Sequence, residues 1–184
     1  FVTQLAKQEE LKRENSALRD QFQKTTPAPK KLLPAKVIGR SNDQLILDKG
    51  SSDGLYVGQV LIVNDNLIGR ISKVSVHRSV GDLVKKNNIT FTAKTVKTNA
   101  LGIVHGKGEE KLVLLNVLLA DKLEKNDLVL TKGDIDQSGK GFPPDLVVGK
   151  IVAINKQSSA LFQSAEIEPL VNFEKLDTLF IVNE

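Results

Sequence analysis

Short apolar runs, separated by turn residues, dominate the chain from residue 35 onward. All thirteen glycines lie between Gly39 and Gly149, mostly at the ends of these runs. Runs of this length with glycine at their ends predict β-strands, and their spacing leaves no room for crossover helices. We therefore expect antiparallel sheets that close into small barrels or sandwiches. The runs are AKVIG, QLILDKG, QVLIV, LIGRISKVSV, ITFTAKTV, ALGIVHG, KLVLLNV, DLVLTKG, VGKIVAIN, SAEIEPL and TLFIV.

The strand pattern contains an internal repeat. Residues 67–74 (LIGRISKV) align with residues 147–154 (VVGKIVAI) at an offset of 80 positions, which matches Gly69 with Gly149. Each copy follows another apolar strand, although the second copy has a longer connection. Similarity at this spacing predicts two small β-barrel domains, at residues 35–86 and 87–184. The pattern leaves open whether the last strands return to the first barrel.

The first 24 residues contain good helix formers and neither glycine nor proline, which predicts a helix. A heptad pattern places Leu11 and Leu18 at d positions, and Asn15 and Phe22 at a positions. Asparagine at an a position is typical of a parallel two-stranded coiled coil. We therefore predict a dimerising coiled coil through these four residues. A single amphipathic helix that packs on the body of the protein is the alternative.

Residues 25–34 (TTPAPKKLLP) contain three prolines, which end the helix and predict an extended linker. The predicted fold class is therefore mostly β: an N-terminal coiled-coil helix followed, after this linker, by two small antiparallel β-barrel domains.

Composition excludes several classes of function. The 184 residues include no cysteine and two histidines, so disulfides and thiolate metal sites are impossible. The net charge is +4 and only 4% of the residues are aromatic, which argues against a nucleic-acid-binding protein. No apolar run approaches the roughly 20 residues that span a bilayer. Because the chain begins at Phe1 and contains no methionine, we expect a fragment whose upstream membrane segment has been removed.

Two patterns resemble those of enzymes but do not meet their requirements. Residues 102–109 (GIVHGKGE) resemble a phosphate-binding loop, but three residues rather than four precede the Gly-Lys pair, and Gly108 follows Lys107. This segment is better interpreted as a hairpin turn. Two barrels in series are also typical of one class of serine protease. The nearest candidates for its catalytic residues are Ser138, with His77 or His105 as the base and Asp82 as the orienting group. Ser138 lies in a polar loop, so we predict no catalytic residues.

The sequence also predicts neither a metal site nor a cofactor. Two isolated histidines fall short of the three or four ligands of a zinc site. The adjacent carboxylates Glu109 and Glu110 are more typical of a solvated turn than of an acid and base pair.

The order of short motifs resembles the extracytoplasmic region of the MreC family, the bacterial rod-shape-determining proteins. The first motif is a lysine-glycine turn before an acidic-glycine pair, then a Gly-Arg-Ile strand. The second is a Gly-Asp step, a variable loop, Phe-Pro, and a Gly-Lys-Ile strand. Pro144, Asp145 and Leu146 depart from the Gly-Leu pair that usually follows Phe-Pro. The motif residues here are Gly50, Asp53, Gly54, Gly69, Gly133, Phe142, Pro143 and Gly149.

This resemblance implies a non-catalytic scaffold of the cell-wall elongation machinery, anchored by a membrane helix and exposed on the extracytoplasmic side of the cytoplasmic membrane. The implied partners are a second copy of the chain, MreD, a penicillin-binding transpeptidase and the complex associated with MreB. The family also implies higher self-assembly, for which unpaired β-edges would offer a route.

Two further expectations concern binding. The loop from Gly133 to Asp145 is a candidate partner site, because long loops on rigid scaffolds often carry function. The alternative function is a cell-envelope polysaccharide-binding module, for peptidoglycan. Tyr56 and seven phenylalanines supply few of the aromatic platforms that sugars usually need.

Overall fold

The structure, a computed structural model, describes residues 31–108, 111–135 and 141–183, together with Lys7. Residues 32–184 form one compact unit, which contains the strands described below. The predicted coiled-coil helix at residues 1–24 therefore lies outside the described residues, apart from Lys7. Among the helices in the described part of the chain, none is long and apolar enough to cross a membrane.

Twelve β-strands and two short 3₁₀ turns, at Ser51–Asp53 and Phe173–Lys175, make up the described regular structure. The prediction of a mostly β protein is confirmed. The strands are β1 (Lys31–Ser41), β2 (Gln44–Leu47), β3 (Val60–Val63), β4 (Asn66–Val74), β5 (Ser79–Leu83), β6 (Thr90–Thr95), β7 (Leu101–Gly106), β8 (Leu112–Leu118), β9 (Leu128–Thr131), β10 (Val147–Asn155), β11 (Phe162–Glu168) and β12 (Thr178–Asn183).

Hydrogen bonding joins the strands into two closed circuits of six. One circuit runs β4, β3, β12, β1, β2, β5 and back to β4, and we call it the first barrel. The other runs β10, β9, β6, β7, β8, β11 and back to β10, and we call it the second barrel. Each described strand has a hydrogen-bonded neighbour on both sides, and the route to self-assembly through unpaired β-edges stays a prediction.

The C-terminal strand β12 returns to the first barrel. It pairs with β3, where Phe180 lies opposite Ile62, and the amide of Val37 in β1 donates to the carbonyl of Asp177 just before it. In the second barrel the corresponding place, between β9 and β7, is taken by β6. The first barrel is thus a circular permutation of the second, and it closes only when the end of the chain has joined it. The domain limits at residues 35–86 and 87–184 stay a prediction.

The two copies of the sequence repeat lie in equivalent strands, β4 and β10. Gly69 is paired with Leu61, and Gly149 with Val129, on the preceding strand of each barrel. Both strands shift register against the following strand immediately after a fully buried isoleucine, Ile71 in β4 and Ile151 in β10. The repeat therefore corresponds to a bulged strand that has equivalent neighbours on both sides in the two barrels.

One contact between the barrels departs from the expected antiparallel pattern. Asn66 of β4 and Val147 of β10 form a parallel pair, and the amide of Val147 donates to the carbonyl of Asp65 at 2.9 Å. All other registered strand pairs in the described residues are antiparallel. The predicted hairpin turn between β7 and β8 is confirmed, because the amide of Lys107 bonds the carbonyl of Lys111.

In each barrel a buried polar residue lies directly before the strand that precedes the repeated strand: Gln59 before β3 and Asp127 before β9. The carbonyls of Gln59 and Asp127 accept from the amides of Ile71 and Ile151, at 2.8 and 2.9 Å. The side chain of Asp127 is also buried and accepts from the amides of Lys97 and Thr98 and from the hydroxyl of Thr98. This carboxylate therefore holds the β6–β7 turn onto β9.

We expect Asp127→Ala to lower the free energy of unfolding by about 2–4 kcal/mol, because it leaves turn donors without their acceptor. Urea denaturation measures the change. Asp177→Ala is the control, because that side chain is 96% exposed and should change stability by less than about 0.5 kcal/mol. Equal stabilities of the two variants would contradict the role of Asp127.

Candidate functional site

The first group of motif residues builds a tight turn after β2. The amide of Gly50 donates to the Asp53 carboxylate at 3.0 Å, and Gly54 adopts a φ of 86°, which favours glycine. The hydrogen bond from Gly50, with Lys49 nearby, lowers the pKa of Asp53. A Cβ atom on Gly50 would lie 2.3 Å from the carbonyl oxygen of Ser75. The turn therefore seats against the β4–β5 connection through an approach that only glycine permits.

The second group of motif residues lies in the β9–β10 connection, which faces the first barrel. Phe142 is buried there, and its ring meets the ring of Phe91 edge to face, with centroids 4.9 Å apart. The guanidinium of Arg70, on β4 of the first barrel, lies 4.3 Å from the centre of the Phe142 ring. Arg70 also donates a hydrogen bond to the carbonyl of Gly141. Arg70 of the Gly-Arg-Ile motif therefore meets Phe142 of the second motif, and this contact joins the two barrels.

Thr131, the last residue of β9, holds the far end of this connection. Thr131 donates from its hydroxyl to the carbonyl of Pro143 at 2.5 Å and accepts from the amide of Leu146 at 3.0 Å. Gly133 has a φ of 93° and packs against the ring of Pro144. The described parts of the nominated loop, Gly133 to Asp145, thus help to seat Phe142, and the role of this loop as a partner site stays a prediction. Residues 136–140 lie outside the described part.

The residues considered for catalysis are placed separately. His77 contacts the hydroxyl of Ser52 at 3.3 Å, and that hydroxyl donates to the carbonyl of Val76. His105 lies on β7 of the second barrel, opposite Val113. Ser138 is outside the described residues. The structure shows no Ser-His-Asp arrangement within the described ranges.

Asp82 has a structural role in the first barrel. Its carboxylate accepts from Gln44 at 2.7 Å, Ser72 at 3.0 Å and Lys86 at 2.7 Å. Burial raises the pKa of this group, but the hydrogen bonds from Lys86, Gln44 and Ser72 together outweigh it, so the pKa is lowered. The group therefore stays ionised and ties β2, β4 and the end of β5 together.

The dimerisation residues Leu11, Asn15, Leu18 and Phe22 all lie outside the described residues. Within the described ranges, no three His, Asp or Glu side chains are grouped as a metal ion would require.

An apolar face on the outside of the second barrel was not predicted from the sequence. Leu118 and Phe162 are direct cross-strand neighbours on β8 and β11, with 53% and 48% of their surfaces exposed. On β7, Leu101 and Ile103 are exposed on the same outer face. We call this surface the apolar stripe, which consists of Leu101, Ile103, Leu118, Leu161 and Phe162.

Two joined six-stranded circuits define a double β-barrel protein, and an apolar stripe is exposed on its second barrel. Residues 35–183 match the barrel core of the rod shape-determining protein MreC. The chain belongs to the MreC family, whose members are cell shape-determining proteins.

Comparisons with known proteins support this membership. A cell shape-determining protein MreC from Listeria monocytogenes is 31% identical over 170 residues, which are 87% of this chain and 56% of the relative. A solved structure of MreC from the same species has a TM-score of 0.78 at 27% identity, covering 99% of this chain and 90% of the other. The chain thus spans little more than half of the Listeria relative's length.

A second similar structure is a complex between penicillin-binding protein PBP2 and MreC from Helicobacter pylori. Its TM-score is 0.63 at 16% identity, and the match covers 84% of this chain and 98% of the other. At that identity the likeness shows the shared fold.

Proposed function

We propose that this chain is a non-catalytic scaffold of the cell-wall elongation machinery. It maintains cell shape by holding peptidoglycan-synthesis enzymes through protein contacts, and a penicillin-binding transpeptidase is its main partner. The observation that carries this proposal is that two groups of residues have separate places in the fold. The motif residues around Phe142 join the barrels, whereas the apolar stripe lies exposed on the outside of the second barrel.

The comparison with the Helicobacter pylori complex supports the choice of partner, because a protein of the same fold is bound there to PBP2. We further propose that the chain acts on the extracytoplasmic side of the cytoplasmic membrane, held by an upstream membrane helix. MreD and the complex associated with MreB are further proposed partners. Pairing of two copies through residues 1–24 would double the number of docking surfaces and raise avidity.

A binding experiment tests this function against the polysaccharide alternative. The full chain is incubated in parallel with the purified extracytoplasmic part of the transpeptidase from the same organism and with purified peptidoglycan fragments. We expect saturable binding to the transpeptidase and none to the fragments. Binding to the fragments alone would instead establish the chain as a wall-binding module, with exposed Tyr56 as the first residue to replace.

A further inference from the structure

The first barrel takes its sixth strand from a distant part of the chain. Its other five strands, β1 to β5, all lie within residues 31–83, and we call them the acceptor. Without β12, strands β1 and β3 would each have one unpaired edge. The second barrel, by contrast, draws all six of its strands from residues 90–168. The acceptor is therefore an open barrel that a strand from elsewhere has to complete.

The segment that completes the acceptor is longer than β12 alone, and we call residues 173–183 the donor segment. Leu179 and Ile181 of β12 are fully buried. Phe173, in the 3₁₀ turn before the strand, is buried as well, and the guanidinium of Arg40 in β1 donates to its carbonyl at 2.9 Å. An empty gap between β1 and β3 would leave these apolar side chains and two strand edges exposed, so an unfilled acceptor is strongly disfavoured.

A short joint is the covalent connection between the acceptor and the part of the chain that carries the donor segment. Residues 84–89 form this joint between β5 and β6, and they contain two successive turns. Strand β12, the parallel pair of β4 with β10, and the contact between Arg70 and Phe142 link the barrels without a covalent bond. If the joint extends, the same contacts can form with residues 90–183 of another copy.

The acceptor also exists before its own donor segment during synthesis. Pairing of β-hairpins takes about 1–10 μs, whereas residues 84–177 take roughly 5–20 s to be synthesised at about 5–20 residues per second. For those seconds the gap between β1 and β3 is open to the donor segment of a neighbouring copy. The proposed pairing through residues 1–24 would raise the local concentration of such a neighbour.

We propose that the first barrel is completed reciprocally between two copies of this chain, so that the donor segment of each copy fills the acceptor of the other. The contacts between donor segment and acceptor are kept in the exchanged pair, and the joint is what changes conformation. This inference goes beyond the proposed scaffold role and does not depend on which enzyme is bound. Because the copies separate only when both first barrels open, the pair should persist on dilution.

Engineered disulfides test the exchange, because the chain contains no cysteine of its own. Ile62 of β3 and Phe180 of β12 are direct cross-strand partners. A full chain with Ile62→Cys and a full chain with Phe180→Cys are refolded together from denaturant and oxidised. A disulfide between positions 62 and 180 then requires the donor segment of one copy in the acceptor of the other. Mass spectrometry of the linked peptides identifies the bond.

A second strand pair supplies the matched control. Lys150 and Glu168 are also cross-strand partners, but they lie in β10 and β11 of the second barrel, which one copy completes by itself. Chains with Lys150→Cys and with Glu168→Cys are therefore refolded together in the same way. A single chain with both Ile62→Cys and Phe180→Cys, refolded at high dilution, is the positive control. Thermal melting establishes that each variant is folded.

We expect dimers linked between positions 62 and 180, in an amount that rises with chain concentration, and no bond between chains in the control pair. Absence of that bond in the mixture, while the double variant forms it within one chain, would overturn the proposal. Equal linking of the control pair would show random collision of chains and would overturn it as well. A folded double variant that forms no bond would contradict the pairing of β12 with β3, on which the exchange rests.

Discussion

Replacing Gly69 with alanine should lower the free energy of unfolding by about 3 kcal/mol or more. A Cβ atom there would lie 2.0 Å from the carbonyl oxygen of Asp82 on the neighbouring strand, and backbone cannot move aside as a side chain can. Strands β4 and β5 would have to separate where they close the first barrel. Urea denaturation of the purified variant measures the loss.

Gly149, the equivalent of Gly69 in the internal repeat, tests in the second barrel whether close approach of a backbone carbonyl requires glycine. A Cβ atom on Gly149 would lie 2.3 Å from the carbonyl oxygen of Glu168, so Gly149→Ala should be comparably damaging to the second barrel. Gly39→Ala is the matched control in a strand, since its Cβ would first meet the flexible end of Ile46 at 3.0 Å. We expect a cost below about 1 kcal/mol for the control. Similar losses in all three variants would refute the close-approach explanation.

Truncation of Phe142 should have the second large effect, about 3–5 kcal/mol, because its buried ring joins the two barrels. Phe142→Ala removes the contacts with Arg70 and Phe91 together and leaves a cavity at the junction. Phe142→Leu keeps most of the apolar volume but not the aromatic face, and should cost about 1–2 kcal/mol. Chemical denaturation ranks the variants.

Loss of this ring should also loosen the barrels from one another. Small-angle scattering of Phe142→Ala, under conditions where it is still folded, should show a larger radius of gyration than the wild-type chain. Phe162→Ala is the control for loss of an aromatic ring, since Phe162 is half exposed on the stripe. An unchanged radius together with wild-type stability for Phe142→Ala would show that the ring does not join the barrels.

The repeated strand was predictable because its glycines carry a strong local constraint. Gly69 and Gly149 stand at the same place in two similar sequences, and each must be glycine because a backbone carbonyl approaches it. The hairpin turn between β7 and β8 follows similarly from local turn chemistry. The contact between Arg70 and Phe142 does not, because it joins residues 72 positions apart on different barrels and leaves no local signal.

The surface position of Leu118 in the apolar stripe was hidden from the sequence by a single bulge. Simple alternation from Leu112 and Leu114, which are both buried, would place Asn116 and Leu118 inside the barrel as well. The left-handed conformation of Asn116 shifts the alternation by one residue and sends Leu118 to the surface. Asparagine tolerates that conformation, but asparagine in an apolar run does not by itself indicate a bulge.

The return of β12 to the first barrel was left open by the sequence for a topological reason. Strand pairing between the two ends of a chain depends on which edge remains free after all the other strands have paired. Arg40 donates to the carbonyls of Phe173 and Leu176 and so helps to guide the last segment to its place beside β1. The residues near Arg40 in the sequence form no pattern that predicts this role.

Residues that build the barrels are distinct from the residues proposed to bind a partner, and one paired measurement tests that separation most directly. Thermal stability and affinity for the transpeptidase are measured on Phe142→Leu and on a stripe variant, Leu118→Glu with Phe162→Glu. We predict that the first loses stability while it keeps its affinity near that of the wild-type chain when folded, and that the second keeps stability and loses affinity. A stripe variant that binds as tightly as the wild-type chain would contradict the account.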